Sequence, residues 1–187
     1  MSRPTGRLAR SGRSGRFSSL PAVACIATAL LLAFHGSSTA SDAGGSVKGT
    51  LTIQGKSLSF THVWLVRGPE TSDESKPATY LILSSEDLAS AISACPSIRC
   101  VLWDTVKKNA AILEPLDEKS ESFWLRVLSP QLPKEYQLSG RRWSPQVQTR
   151  ERVSGKLQFS YSNTGDEADL DLDAILLKEF PIPGSHR

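Results

Sequence analysis

The sequence predicts a mainly β domain: an antiparallel sandwich or flattened barrel of seven to eight short strands with one short helix, with a mixed α+β sheet as the alternative. Three features carry that expectation. Residues 47–53 and 153–161 alternate apolar and polar side chains with the period of a half-buried strand. Turn-forming residues recur every eight to fifteen positions, and a single stretch, Leu88, Ala91, Ile92 and Cys95, repeats at helical spacing.

Taken in order, Val47, Gly49, Leu51 and Ile53 form the apolar face of the first strand. Gly55-Lys56 reads as a two-residue turn, and the run that follows places Leu58, Phe60, His62, Trp64 and Val66 on one face of a partner strand. Residues 67–77 are polar with Gly, Pro and Ser and read as an exposed loop, while Tyr80, Leu81, Ile82 and Leu83 mark the next strand. Ser84 and Asp87 stand at capping-box spacing, which opens a helix over residues 85–94 that Pro96 stops. Residues 99–106 and 110–115 flank Lys107-Lys108-Asn109 as a second hairpin, and residues 122–128 form a further strand. Residues 129–150 hold Pro130, Pro133, Gly140 and Pro145 and read as the longest irregular stretch, with a short strand near 136–138. Residues 153–161 and 168–180 close the chain as a third hairpin around Asn163 to Asp166. The spacing of Val47, Gly49 and Leu51 is echoed by Val153, Gly155 and Leu157; a glycine on a strand face signals a bulge or the close approach of another backbone.

The pattern resembles that of small secreted bacterial β-rich domains of unassigned activity. They begin V-x-G-x-L-x-[IV]-x-G-K, here residues 47–56, carry a His in the next strand, here His62, and close with a V-x-G-x-[LF] strand, here residues 153–157. The resemblance implies export and a β-rich fold, and nothing about chemistry.

Residues 1–40 read as a secretory signal: five arginines without an acidic residue, then a fifteen-residue apolar run at 20–34, then small residues at Ser38 and Ala40. An uncleaved anchor, a transit peptide and a lipoprotein box at Cys25 are the other readings. A linker over 41–46, one domain over 47–180 and a tail over 181–187 follow. Without the five arginines the formal charge of +3 becomes −2, which argues against a nucleic-acid binder. Cys95 and Cys100 are then the cysteines left, and in an oxidising compartment they are expected to pair.

The catalytic inventory is thin. A Ser-His-Asp site depends on His62, because His186 is penultimate, and the apolar neighbours of His62 favour a core or half-buried role. Asp169, Asp171 and Asp173 imitate a calcium loop, but Ala174 and Phe180 stand where Gly and Glu are needed, so an acidic outer strand face balanced by Arg152 or Lys156 is the simpler reading. No metal site and no cofactor is expected. Residues 134–152 carry a net +3, with Tyr136 and Trp143 among the arginines, so Tyr136, Arg141, Arg142 and Trp143 are the candidate binding residues for a protein, an anionic glycan or a lipid headgroup. The competing reading folds Trp143 back over the sandwich and pairs the arginines with the acidic strand. An exported, non-catalytic binding module is thus the expected function. A secreted hydrolase using His62 or the Asp169, Asp171 and Asp173 cluster and a structural component of a cell-envelope assembly are the alternatives.

Overall fold

The computed structural model describes residues 44–116 and 121–184. The signal segment 1–40, the first half of the linker and His186 lie outside them. The architecture is the expected antiparallel β class, curled into a half-barrel by ten strands. These are β1 (Ser46–Ile53), β2 (Lys56–Leu58), β3 (His62–Pro69), β4 (Pro77–Ser84), β5 (Ala110–Pro115), β6 (Ser122–Leu128), β7 (Tyr136–Arg141), β8 (Trp143–Gln148), β9 (Arg152–Tyr161) and β10 (Asp166–Glu179). Helix α1 (Ala89–Ala94) and a π-helical turn at Cys100–Thr105 lie between β4 and β5.

Two segments turn the corners. The first half of β10 pairs with β1 and β9 as far as Asp173 and Ile175, and its last residues run parallel to β3 from Leu176. On the other side β7 pairs with β6, Arg142 bends the chain, and β8 pairs with β9. The apolar faces of both layers meet inside, where Leu51, Leu65, Phe123, Trp143, Leu157 and Leu170 belong to one continuous core. The acidic strand behaves as its alternation predicts: Ala168, Leu170, Leu172 and Ala174 are buried, whereas Asp169 and Asp171 face solvent.

The back of the sheet is covered as well. Trp64, Val66, Tyr80, Ile82 and Ile112 pack under Ile92, Ile98, Val101, Leu102 and Val106 from the helical excursion. This second core explains why 63–66 and 80–83 are unbroken apolar runs, because a central strand covered on both faces has no polar side to alternate with. It also overturns the expected strand at 99–106. The Val106 N–H donates to Val101 O at 3.2 Å, and the π-helical turn this closes points Val101, Leu102 and Val106 down onto the sheet. Cys95 and Cys100 are bonded, Cα to Cα 5.5 Å apart, and join α1 to that turn. Replacing both cysteines by Ala is expected to cost roughly 2 kcal/mol from the short closed loop, read as a lower urea midpoint that reductant no longer moves.

Other boundaries shift for local reasons. The turn is Gln54-Gly55, not Gly55-Lys56: Ile53 pairs with Lys56, and both turn residues have positive φ, 51° and 72°, as a type I′ turn requires. The chain leaves the sheet at Ser59–Thr61, so Leu58 and Phe60 serve the inner core while Trp64 and Val66 serve the outer one, and the single five-residue face expected there does not exist. The helix begins at Ala89 rather than residue 85, because Ser84 is still a buried strand residue; Leu88 takes the N-cap position without a side-chain cap, and the Oδ1 of Asp87, one residue earlier, accepts the Ala89 N–H at 2.9 Å. Residues 129–135 are irregular as expected, but the short strand near 136–138 extends as β7 to Arg141 and β8 follows it; Pro145 is accommodated because, among the described residues, β8 pairs with β9 alone and the register slips between Pro145 and Val147. The paired glycines do what their spacing suggests. A Cβ at Gly49, where φ is +106°, would lie 1.9 Å from Asp169 O, and one at Gly155 would lie 2.8 Å from the Trp143 ring. Among the described residues no helix is long and apolar enough to cross a membrane.

Candidate functional site

The four residues singled out in 134–152 do not share a face. β7 alternates, so Tyr136 turns inward and Arg141 outward. Arg142 is exposed at the corner, and Trp143 has no exposed surface, its ring lying in the inner core. The indole therefore offers no face to a ligand. The Tyr136 hydroxyl donates to Asp166 Oδ2 at 2.5 Å. Asp166 is itself buried at the start of β10 and also accepts from Thr164 Oγ1 at 2.6 Å and the Gln54 N–H at 2.8 Å. Burial raises its pKa, but the three donors, Thr164 first, outweigh that and hold the carboxyl below the usual range. The same hydrogen bond pushes Tyr136 up to about 12. This network pins the two hairpin tips together, a structural task that the sequence hides in a turn.

Two of the other cations of the segment, Arg150 and Arg152, are spoken for. Arg152 makes a two-pronged contact with Asp173 at 2.7 Å, and Arg150 binds Glu179 at 2.6 Å. Lys156 stands 3.7 Å from Asp171, and Gln158 donates to Asp169 at 2.9 Å. The three aspartates thus stand apart on an outer face, each with its own partner. His62 is half-buried and stacks on Trp64, ring centroids 5.4 Å apart and planes 10° from parallel. No hydrogen-bond partner for its imidazole occurs among the described residues. Nor, among these residues, do three His, Cys, Asp or Glu side chains come together as a metal would require.

Polar groups without partners converge elsewhere, in a cleft of about 180 Å³ where β3 ends, β4 begins, and β5 and β8 finish. Pairing of Arg67 with Thr79 and of Leu81 with Leu113 brings the three strand ends side by side. Glu70, Glu114, Leu116 and Gln148 line the space, with Arg67 and Thr79 beside them. Glu114 is half-buried and, among the described residues, has no hydrogen bond or ion pair. Burial, and after it the negative charge of Glu70, pushes its carboxyl up to about 7. Gln148 Oε1 is shielded from solvent and receives no donor. Glu70 accepts from the Ser72 hydroxyl, and Arg67 is turned to the Thr149 carbonyl at 3.2 Å. Beneath, the Tyr80 hydroxyl donates to Pro69 O at 3.2 Å; burial first, then the Glu114 charge, raises its pKa. The cleft therefore holds two acceptors without a donor, the Glu114 carboxylate and Gln148 Oε1, with exposed Leu116 as an apolar lip.

Sequence reasoning passed over these residues because Glu70 falls in a polar loop and Glu114 is one acid at a strand end. The hint available was Glu114 itself, a carboxylate inside the apolar run 110–115. No protein-family model, curated protein or solved structure matches the chain.

Proposed function

We propose that the chain is an exported, non-catalytic binding module that holds the ammonium or guanidinium group of a protein partner in the cleft between Glu70 and Glu114. The observation that carries this is the pair of unused acceptors, the Glu114 carboxylate and Gln148 Oε1, lining one space. An unsatisfied buried acceptor costs about 1–3 kcal/mol, and a cationic donor is the ligand that removes the cost at both atoms. Leu116 suits the aliphatic stem of such a side chain. The bonded Cys95 and Cys100 and the signal-like residues 1–40 support export. For an anionic glycan or lipid, Lys134, Arg141 and Arg142 are the remaining contacts, because Arg150 and Arg152 are already paired.

The test is a chemical-shift titration of the full chain with Nα-acetyl-lysine methylamide and with its Nζ-acetylated, neutral counterpart. The charged probe is expected to bind and the neutral one not, and Glu114→Gln should weaken binding at least about tenfold with an unchanged unfolding midpoint. Affinity should rise between pH 6 and 8 as Glu114 loses its proton, with Glu70, Arg67 and Tyr80 as the ionisable neighbours. Equal binding of both probes, or of neither, sinks the assignment. The raised Glu114 pKa also favours a second reading, a hydrolase with Glu114 as its acid. That reading predicts turnover of an ester, glycoside or phosphoester in a substrate panel, abolished by Glu114→Gln.

A further inference from the structure

A second cleft, of about 250 Å³, lies across the molecule's other hairpin, bounded by Ser57 to Phe60 on one side and by Ser85, Asn109 and the end of β6 on the other. Not one of its lining residues is charged. Its first wall is the free edge of β2, which among the described residues pairs with β1 alone. In a hairpin closed by a two-residue turn the residues flanking the turn exchange both backbone hydrogen bonds, and the next pair exchanges none. Ile53 and Lys56 flank the turn, so in the following pair, Thr52 with Ser57, the Ser57 N–H and C=O point away from β1. No other backbone or side-chain group among the described residues meets them. The cleft thus presents an aligned donor and acceptor at strand geometry, with Phe60 and Leu128 as apolar surfaces beside them.

We propose that this edge takes up an extended, uncharged peptide segment by strand addition, with Ser57 exchanging both backbone hydrogen bonds and one small apolar side chain resting on Phe60 and Leu128. Strand addition draws its affinity from main-chain bonds and its selectivity from the neighbouring pocket. The neutral lining rejects a buried Lys, Arg, Asp or Glu, which would find no counter-charge. A sheet edge is ordinarily guarded by charge or a bulge, and here Lys56 stands at the turn while Ser57 is unguarded. This site is independent of the Glu114 cleft.

The experiment uses the full-length ¹⁵N-labelled chain and a panel of capped tetrapeptides alternating Thr or Ser with Val or Ala, each also made with its central amides N-methylated. The unmethylated peptides are expected to shift the Ser57 amide and slow its hydrogen exchange at least about tenfold, and the methylated ones to do neither. Ser57→Pro deletes a donor that the hairpin does not use, so it should keep the unfolding midpoint and lose at least about tenfold in peptide affinity, while Ser57→Ala binds as wild type. Equal binding of methylated peptides overturns the proposal even where Ser57→Pro fails to fold. So do wild-type binding by a folded Ser57→Pro, no shift with any peptide, self-association through β2, and occupancy by a neutral oligosaccharide in place of peptide.

Discussion

Trp143→Ala is expected to lower the stability of the chain by about 3–5 kcal/mol, the range for deleting a large aromatic side chain from a packed interior. The indole is fully buried, sits opposite Leu157 on the adjoining strand and packs against Gly155, where even a methyl group would meet it at 2.8 Å. Nothing small can refill that space, because the glycine is held against the ring by the pairing of β8 with β9. Trp143→Phe should cost less, since it also removes a buried indole N–H that has no acceptor. Urea unfolding followed by far-ultraviolet circular dichroism measures both. A surface tryptophan that served a ligand would leave stability within about 0.5 kcal/mol, and that outcome would return Trp143 to the list of contact residues.

What the sequence made legible was whatever a period or a turn residue encodes locally. β1, β9 and β10 announce themselves by alternation, and β6, an apolar-rich run, extends from Ser122 to Leu128 as read. The errors fall where tertiary structure overrides the local signal. Residues 99–106 have the composition of a strand, yet the outer face of β3, β4 and β5 needs a cover, and a short bridged loop supplies it as a π-helical turn. Residues 136–148 carry three features that disfavour strands, Gly140, Pro145 and a run of polar residues, and still pair at both ends, because an edge strand tolerates a missing donor and a corner tolerates a bend.

The site was less legible than the fold for a similar reason. A charge-rich segment attracts attention in one dimension, but charges distribute themselves among partners in three. Arg150 and Arg152 find Glu179 and Asp173, which lie more than twenty residues away, and Tyr136 finds Asp166. The acceptors left without donors, Glu114 and Gln148, are separated by 34 positions and meet through the curl of the sheet. No spacing rule connects them. The glycine echo at 49 and 155 was readable, since a strand glycine has few physical causes and close backbone approach is one of them.

The same kind of long-range pairing gives the second large effect, at Arg126. Its side chain is 5% exposed in the middle of β6, donates to the Leu102 carbonyl at 2.8 Å and to Glu135 at 2.6 Å, and lies 3.8 Å above the Trp103 ring. One guanidinium therefore fastens the π-helical turn to the sheet and to the approach to β7. Arg126→Met keeps much of the apolar stem but leaves the Leu102 carbonyl and Glu135 without their donor. The expected loss is about 3 kcal/mol, at the low end for breaking a buried pair because Glu135 keeps some contact with water. Acid separates this electrostatic part from simple packing. The hydrogen bond from Arg126 is the chief cause of a Glu135 pKa below its ordinary 4.5, so the unfolded chain binds the proton more readily than the folded one. That stabilisation is complete above pH 4.5 and disappears as the pH falls through the folded-state value. The gap in urea midpoint between wild type and Arg126→Met should consequently narrow on acidification from pH 6 to pH 3. A gap that stays constant across that range would assign the whole effect to lost packing against Trp103 and none of it to the ion pair.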